Sequence, residues 1–375
     1  MAGDLPPVAF IGVGTSTIER RSEQSIVGLA LDAAVAAVTD AGLVRDQIDG
    51  YVGAPTATSA GAAGADGADE VSMRLLAERL GLRHLAWGVD LAWCFPTDMA
   101  VAAGHALRSG ACDYVLGVRA LYHLAGVPSG AMAGTMAYGE SQWSAPYGYN
   151  TAGARFATRL RRYLDHSGAD RSDLFELVSL AYRNAARNPV AVWRDRDDLS
   201  LDEYLAAPMV AEPLCRFDCD MPICGAAAFV MTRGELATGA PHRPAYLVGA
   251  AGWQQADRIF ERSRRSRRDI GSCQLYDGFS FMVWEQLERL GWCAEGTAWK
   301  FVADGECELT GSLPVNTFGG SLGEGRMHGM GHLRESILQV SGRAGDRQVP
   351  DLENCLVQVG PLDYSSQVIV SVDPR

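Results

Sequence analysis

Lysine is almost missing from this chain: Lys300 stands alone among many arginines. A Schiff-base aldolase needs a lysine amine in a desolvated pocket, so that mechanism would rest on Lys300 alone and is not expected. Paired cysteine spacing is missing too. The nine cysteines are scattered without a Cys-x-x-Cys pair, which excludes a disulfide framework and a zinc-ribbon pattern. Cys215, Cys219 and Cys224 cluster, but without metal-ligand spacing, and read as small core-packing thiols; no metal is expected. Long apolar runs are absent: residues 29–38 are interrupted by Asp32 and fall far short of the roughly 20 residues of a membrane span. No basic leader with a cleavage site precedes the first apolar run, so the expected location is cytoplasmic. Cationic excess is also lacking. A net charge of -12 argues against general nucleic-acid affinity. The local exception is residues 258–268, with Arg258, Arg262, Arg264, Arg265, Arg267 and Arg268. That segment reads either as a solvated, mobile loop or as a basic patch for a polyanion such as the phosphates of coenzyme A.

What is present is a chain of 375 residues, 47% hydrophobic and 21% charged, long enough for one large domain or two intimately packed ones. Residues 7–14 read as a buried strand, 25–42 as a helix apolar over most of its circumference, and 51–53 as a second strand. Residues 71–80 and 96–110 continue as helices, the latter opened by Pro96, between strands at 85–90 and 114–118. Such alternation predicts α/β layering. The Ala- and Gly-rich run from 55 to 69 has no periodicity and reads as a substrate-access loop. Residues 154–167, 172–188 and 200–206 read as helices, with Ser172 and Ser200 as N-caps. They form a helical insertion at about 150–210 within an N-terminal half, residues 1–240. Residues 241–375 form the C-terminal half, with strands at 245–249, 355–359 and 367–372 and helices at 279–290 and 331–338.

The segments that carry chemistry are Leu275-Tyr276-Asp277-Gly278-Phe279-Ser280, Asn316-Thr317-Phe318-Gly319-Gly320 and Gly325-Arg326-Met327-His328. They are preceded by Thr39-Asp40-Ala41-Gly42-Leu43 with Ile48-Asp49-Gly50, by Arg187-Asn188-Pro189 and by residues 217–226, and are followed by residues 343–348. Together and in this order these segments resemble the sterol-carrier and lipid-transfer-protein branch of the thiolase superfamily, and within it the aldolases that cleave steroid side chains. The resemblance implies an α/β thiolase-like fold: two similar halves around stacked five-stranded sheets, in an α-β-α-β-α layering. It implies acyl-CoA as substrate, coenzyme A entering as part of that substrate with no other cofactor, and a homodimer. It also implies a separately encoded partner with an OB-fold and a zinc ribbon.

The resemblance further implies roles for single residues. Thiolases carry a nucleophilic cysteine near the start of the helix before Gly110; alignment without gaps puts Trp93 there, and a shift of one residue restores Cys94. Tyr276 fills a slot that holds His or Asn in condensing relatives and tyrosine in the steroid aldolases. A phenol is suited to removing or returning a hydroxyl proton. Arg326 stands where thiolases have the His of Gly-His-Pro and aldolase relatives a second tyrosine; its guanidinium cannot shuttle protons, but it can lower the pKa of Tyr276 or hold an enolate. His328 can supply an acid or base, whereas His332 and Asp277 read as structural. Asn316, Gly319 and Gly320 form a loop whose amides are expected to approach the thioester carbonyl. The leading reading is a retro-aldol lyase acting on a β-hydroxyacyl-CoA, with Tyr276 as base. The alternatives are a Claisen-type thiolase or acyltransferase using Cys94, and a non-catalytic thiolase-like scaffold.

Overall fold

A computed structural model describes residues 5–54, 71–91, 94–123, 139–149, 151–252, 255, 258–361 and 364–375. The expected access loop at 55–69 and the Trp93 position lie outside the described residues. Strands β1 (Val8–Thr15), β2 (Gly50–Gly53), β3 (Trp87–Asp90) and β4 (Tyr114–Leu121) precede a short hairpin of β5 (Met209–Ala211) and β6 (Leu214–Cys215). Then come β7 (Gly225–Arg233), β8 (Ala245–Gly252), β9 (Ser272–Leu275), β10 (Asn354–Val359) and β11 (Ser366–Ser371). All but the hairpin join one nine-stranded mixed sheet in the order β3-β2-β4-β7-β1-β8-β11-β10-β9.

That order contains a repeat. From β1 outward the sheet runs through β7 and β4 to β2, and from β8 outward through β11 and β10 to β9. Both arms pair antiparallel, antiparallel and then parallel. Among the described residues the edge strand β3 has no counterpart at the β9 end, so the second arm shows four strands rather than five. The arms are not separate sheets: β1 meets β8 through Ala9 opposite Tyr246 and Phe10 opposite Ala245, so each covers the other's open edge. Helices Pro96–Arg108 and Met330–Val340 pack on strands of both arms and on each other. They form the middle layer, with Ile26–Asp40 outside one arm and Arg258–Ser263 outside the other.

Local sequence explains the helix starts. Ser25 caps Ile26–Asp40 by accepting from Gly28 N, and Pro96 occupies the first turn of its helix. Ser200 caps Leu201–Leu205 as expected, but Ser172 does not cap its helix. The helix Arg171–Ala186 begins one residue earlier than read, because the Asp170 carboxylate accepts from Ser172 N and is the stronger acceptor. With Ala152–Ser167, these helices enclose a second hydrophobic core that includes Leu174, Tyr204 and Trp284.

The sheet edge at β9 prepares the site. Cys273 N donates to Pro314 O and Asn316 N to Cys273 O, so residues 314–316 briefly pair with the open edge. The backbone then leaves the sheet, because Asn316 adopts a left-handed φ of 48°. Its side chain continues the ladder: Oδ1 accepts from Leu275 N at 2.8 Å and Nδ2 donates to Leu275 O at 2.7 Å. Two residues on from Leu275, Asp277 accepts from Ser321 N and Leu322 N at the start of the short helix Gly320–Gly323. A Cβ on Gly320, whose φ is 63°, would lie 1.9 Å from Asp277 Oδ2, so only glycine permits this approach. Replacing Asn316 with Ala strands buried backbone groups of Leu275 and is expected to cost about 1–3 kcal/mol. Urea unfolding checks this: the midpoint should fall with the slope unchanged, and an unmoved midpoint would refute the edge-capping role.

Candidate active site

The end of β9, the turn before the helix Pro96–Arg108, the residues following β6 and the turn at 325–329 converge on a cavity of about 990 Å³. Tyr276, Arg326, His328 and Cys94 all line it, so four of the residues expected at a site do meet. Its apolar walls include the stacked rings of Phe156 and Phe279, with centroids 4.6 Å apart, and those of Phe95 and Tyr364, 6.2 Å apart. Such walls fit a bulky, flat apolar group.

Tyr276 is fixed through its backbone: its N–H donates to Gln358 O, and its carbonyl accepts from Gln286 Nε2. Its hydroxyl hydrogen-bonds to Asp220 and to Arg326, and Arg326 Nε lies 3.2 Å from Asp220 Oδ2. A guanidinium only donates, so the phenol oxygen accepts from Arg326 and its hydrogen goes to the carboxylate. Burial and the Asp220 charge push the phenol well above its usual range, outweighing the opposite pull of Arg326 and Arg119. The expected lowering of the Tyr276 pKa by Arg326 is therefore overcome, because desolvation and a second neighbour of opposite sign act together. Burial also raises the Asp220 carboxyl to about 6, with Arg326 holding it down and Asp277 pushing it up.

His328 has a left-handed φ of 46° within the turn Gly325 to Gly329, an unusual conformation for a residue with a side chain. Its Nδ1 lies 2.8 Å from Arg119 NH2. Because arginine has no acceptor, Nδ1 must accept, and the ring carries its proton on Nε2. Burial, with Arg326 and Arg119 nearby, pushes the imidazole well below its usual pKa, so it stays neutral. Arg119 itself, buried in β4, also donates to Cys94 O at 2.6 Å.

Cys94 is buried and lies just before Phe95, the N-cap of the helix Pro96–Arg108. Burial lifts its thiol to about 11; Arg119 pulls it down and Asp98 pushes it up. The Asp98 carboxylate also takes the Phe95 N–H at 2.8 Å, so the helix start is already occupied by an anion. The thiol donates to Leu91 O.

Asn316, Gly319 and Gly320 do not line the cavity. Asn316 closes the β9 edge and Gly320 admits Asp277, while a Cβ on Gly319 would lie 2.8 Å from the Cβ of Ala185. Their conformations serve the scaffold. His332 also supports it, its Nε2 being 3.1 Å from both Leu275 O and Asp277 Oδ1. Of the clustered thiols, Cys215 and Cys224 are buried, whereas Cys219 lines the cavity. Among the described residues no group of His, Cys, Asp and Glu is placed to hold a metal. The basic run at 258–268 is ordered: Arg262 donates to Ala250 O, Arg265 to Asn354 Oδ1, and Arg267 lies 4.8 Å from the Phe260 ring. None of its residues lines the cavity.

Sequence reasoning missed Asp220 and Arg119. Each carried a signal: Arg119 interrupts the apolar strand Tyr114–Leu121, and Asp220 is a second carboxylate two residues after Asp218, directly before the apolar Met221-Pro222-Ile223. A charge where a strand or its flank should be apolar demands a partner, and partners gather at sites.

The repeated sheet around a central helix layer is the thiolase-like α/β fold. Residues 242–371 match the thiolase C-terminal domain-like family. The chain is 32% identical to a steroid side-chain-cleaving aldolase of Thermomonospora curvata, the match covering 98% of this chain and 99% of the relative. It is 30% identical to 17-hydroxy-3-oxo-4-pregnene-20-carboxyl-CoA lyase of Mycobacterium tuberculosis, covering 94% of this chain and 96% of the relative. The solved structure of an Ltp2-ChsH2(DUF35) aldolase superposes with a TM-score of 0.87 at 29% identity, over 98% of both chains. The chain belongs to the thiolase superfamily, in the sterol-carrier and lipid-transfer-protein branch that includes steroid side-chain-cleaving aldolases. No helix among the described residues is long and apolar enough to cross a membrane.

The neutral His328 has a stability consequence. Its folded pKa lies below the unfolded value near 6.5, so as pH falls through about 6.5 the unfolded chain takes up the proton first and stability is lost. Gln at this position accepts the same Arg119 bond without titrating. Relative to His328→Gln, the wild type should lose up to about 1.4 kcal/mol per pH unit below that point. Urea unfolding from about pH 7 to 5 tests this, and parallel curves for the two proteins would refute a neutral, proton-refusing imidazole.

Proposed function

We propose that this protein is an acyl-CoA carbon–carbon lyase that cleaves a β-hydroxyacyl-CoA of steroid side-chain type by a retro-aldol reaction, with Tyr276 accepting the hydroxyl proton. The observation that carries this reading is one cavity shared by a phenol in a proton-accepting network, a neutral imidazole N–H donor and a fixed guanidinium. A tertiary alcohol cannot be oxidised to the ketone that a thiolase cleaves. Removing its proton instead breaks the adjacent carbon–carbon bond, turning the alcohol carbon into a ketone and moving the bonding pair onto the thioester as an enolate. His328 Nε2–H and the Arg326 cation face that developing charge, and protonation at the enolate carbon completes a proton-neutral reaction. Coenzyme A enters as part of the substrate, and no step calls on a further cofactor. The apolar aromatic walls and the likeness to an aldolase and a carboxyl-CoA lyase support the substrate class.

Tyr276→Phe keeps the ring and removes the proton carrier; kcat should fall at least about 100-fold with KM little changed. Assay of ketone and short acyl-CoA from a tertiary β-hydroxyacyl-CoA checks it, and full rate in the variant would sink the mechanism. The Claisen alternative requires an acyl-enzyme on Cys94. A buried thiol raised to about 11 argues against it, and mass spectrometry after exposure to acyl-CoA should find Cys94 unmodified. A stable acyl adduct there, lost in Cys94→Ala, would overturn the lyase reading in favour of the thiolase one. A non-catalytic scaffold would leave the proton network without a purpose.

The working assembly in this reading is a homodimer bound to a separately encoded OB-fold and zinc-ribbon partner. The support is the solved relative whose name couples Ltp2 with ChsH2(DUF35). Light scattering of the protein expressed alone and with such a partner, combined with turnover, tests it: a monomer with full lyase activity and no partner would refute both.

A further inference from the structure

We infer that Asp220 is the group that finally holds the proton taken from the substrate hydroxyl, Tyr276 relaying it rather than ionising. The inference rests on the lyase reading above and goes beyond it in naming the acceptor. Its basis is the placement of Asp220, Tyr276 and Arg326 together in the cavity lining, with Arg326 Nε 3.2 Å from Asp220 Oδ2. Asp220 accepts the Tyr276 hydroxyl hydrogen, and Arg326 donates to the phenol oxygen. The phenol oxygen thus keeps a lone pair for the substrate while its own hydrogen already points at a carboxylate. As the substrate O–H bond breaks, its proton goes to the Tyr276 oxygen and the Tyr276 hydrogen goes to the Asp220 oxygen. The substrate oxygen becomes the ketone, and the electron pair of the broken carbon–carbon bond becomes the enolate. Passage of the proton from Asp220 back to Tyr276, and of the Tyr276 hydroxyl proton to the enolate carbon, restores the pair, so atoms and charge balance and no phenolate forms.

A bare tyrosine base fits the site less well. Burial and a neighbouring carboxylate make the phenolate costly, and the cation that would stabilise it is already shared with Asp220. The groups that set the carboxylate's behaviour are Arg326, Asp277 and Tyr276 itself, with Arg119 acting on the phenol from β4. Asp220 titrates near 6 in this setting, so it is ionised and ready to accept at neutral pH.

The test uses the full protein with its partner and compares wild type, Asp220→Asn and Asp220→Glu. In the wild type kcat/KM should rise to a plateau as pH passes about 6. Asp220→Asn should lose at least about 100-fold at neutral pH and regain rate only on an alkaline limb, where Tyr276 must ionise outright. Asp220→Glu keeps the carboxylate and should retain the acid limb and most of the rate. A readout without turnover accompanies this: the ultraviolet difference spectrum against Tyr276→Phe follows ionisation of Tyr276 alone. Removing the carboxylate charge leaves Arg326 unopposed, so in Asp220→Asn that ionisation should move to lower pH. An unmoved Tyr276 titration, or an Asp220→Asn enzyme with wild-type rate and an unchanged acid limb, overturns the inference. If no β-hydroxyacyl-CoA is cleaved by the wild type while the titration moves as expected, the lyase reading fails and the Asp220–Tyr276 proton coupling stands.

Discussion

The residue that carries the proposed chemistry, Tyr276, stands between two neighbours, Leu275 and Asp277, whose own bonds fix the chain on either side of it. Leu275 ends the edge strand β9, where the backbone groups facing away from β10 have no strand to meet. Unpaired and buried, each would cost as much as a lost hydrogen bond, so the carboxamide of Asn316 takes both. On the other side Asp277 spends its carboxylate on the N–H groups of Ser321 and Leu322 and on His332. Its position in turn requires a residue without a Cβ at 320. With both neighbours tied, the backbone that presents the phenol to the cavity is fixed. A shift of either clamp would move the hydroxyl away from Asp220 and Arg326, and proton transfer tolerates little such displacement.

Charge within the cavity follows one pattern. Of the three arginines lining it, Arg216 is exposed, whereas Arg119 and Arg326 lie in a poorly solvated space, and each of these two is answered by a different kind of group. Arg326 meets the carboxylate of Asp220, while Arg119 meets a carbonyl and the lone pair of an imidazole. The first pairing makes a proton acceptor and the second a proton donor, because a carboxylate beside a cation stays ionised and an imidazole beside a cation stays neutral. Arginine at 326 is thus compatible with acid–base work although it cannot titrate itself. The proton-handling role passes to its neighbours.

How much of this was legible in the sequence depends on what kind of signal each residue leaves. Periodicity and caps exposed the strands β1, β8 and β10 and the helix Ile26–Asp40. The four-residue strand β9, with buried Ser272 and Gln274, has neither alternation nor a long apolar run and was not found. Tyr276, Arg326, His328 and Cys94 were legible because they stand in motif slots. Asn316, Gly319 and Gly320 were legible as special positions: positive φ and close approach mark a glycine equally for a ligand or for a neighbouring element, and their close neighbours in the fold are Leu275, Ala185 and Asp277. Asp220 and Arg119 escaped because their partners, Arg326 and His328, lie far along the chain, and such partnership is a property of the folded sheet, not of any local pattern.

The repeat in the sheet explains why the site has two unlike sides. Everything before β8 contributes Cys94, Arg119 and Asp220, and everything after it contributes Tyr276, Arg326 and His328. Each functional pair therefore crosses from one arm to the other: Asp220 with Tyr276 and Arg326, Arg119 with His328. The arms are tied by the short β1–β8 pairing, by the two central helices and by Asp40, which accepts from Val13 N and from Arg343. Neither arm alone could hold a proton donor and acceptor at fixed separation. The repeat gives two similar arms, and the proposed chemistry sits where their differences face each other.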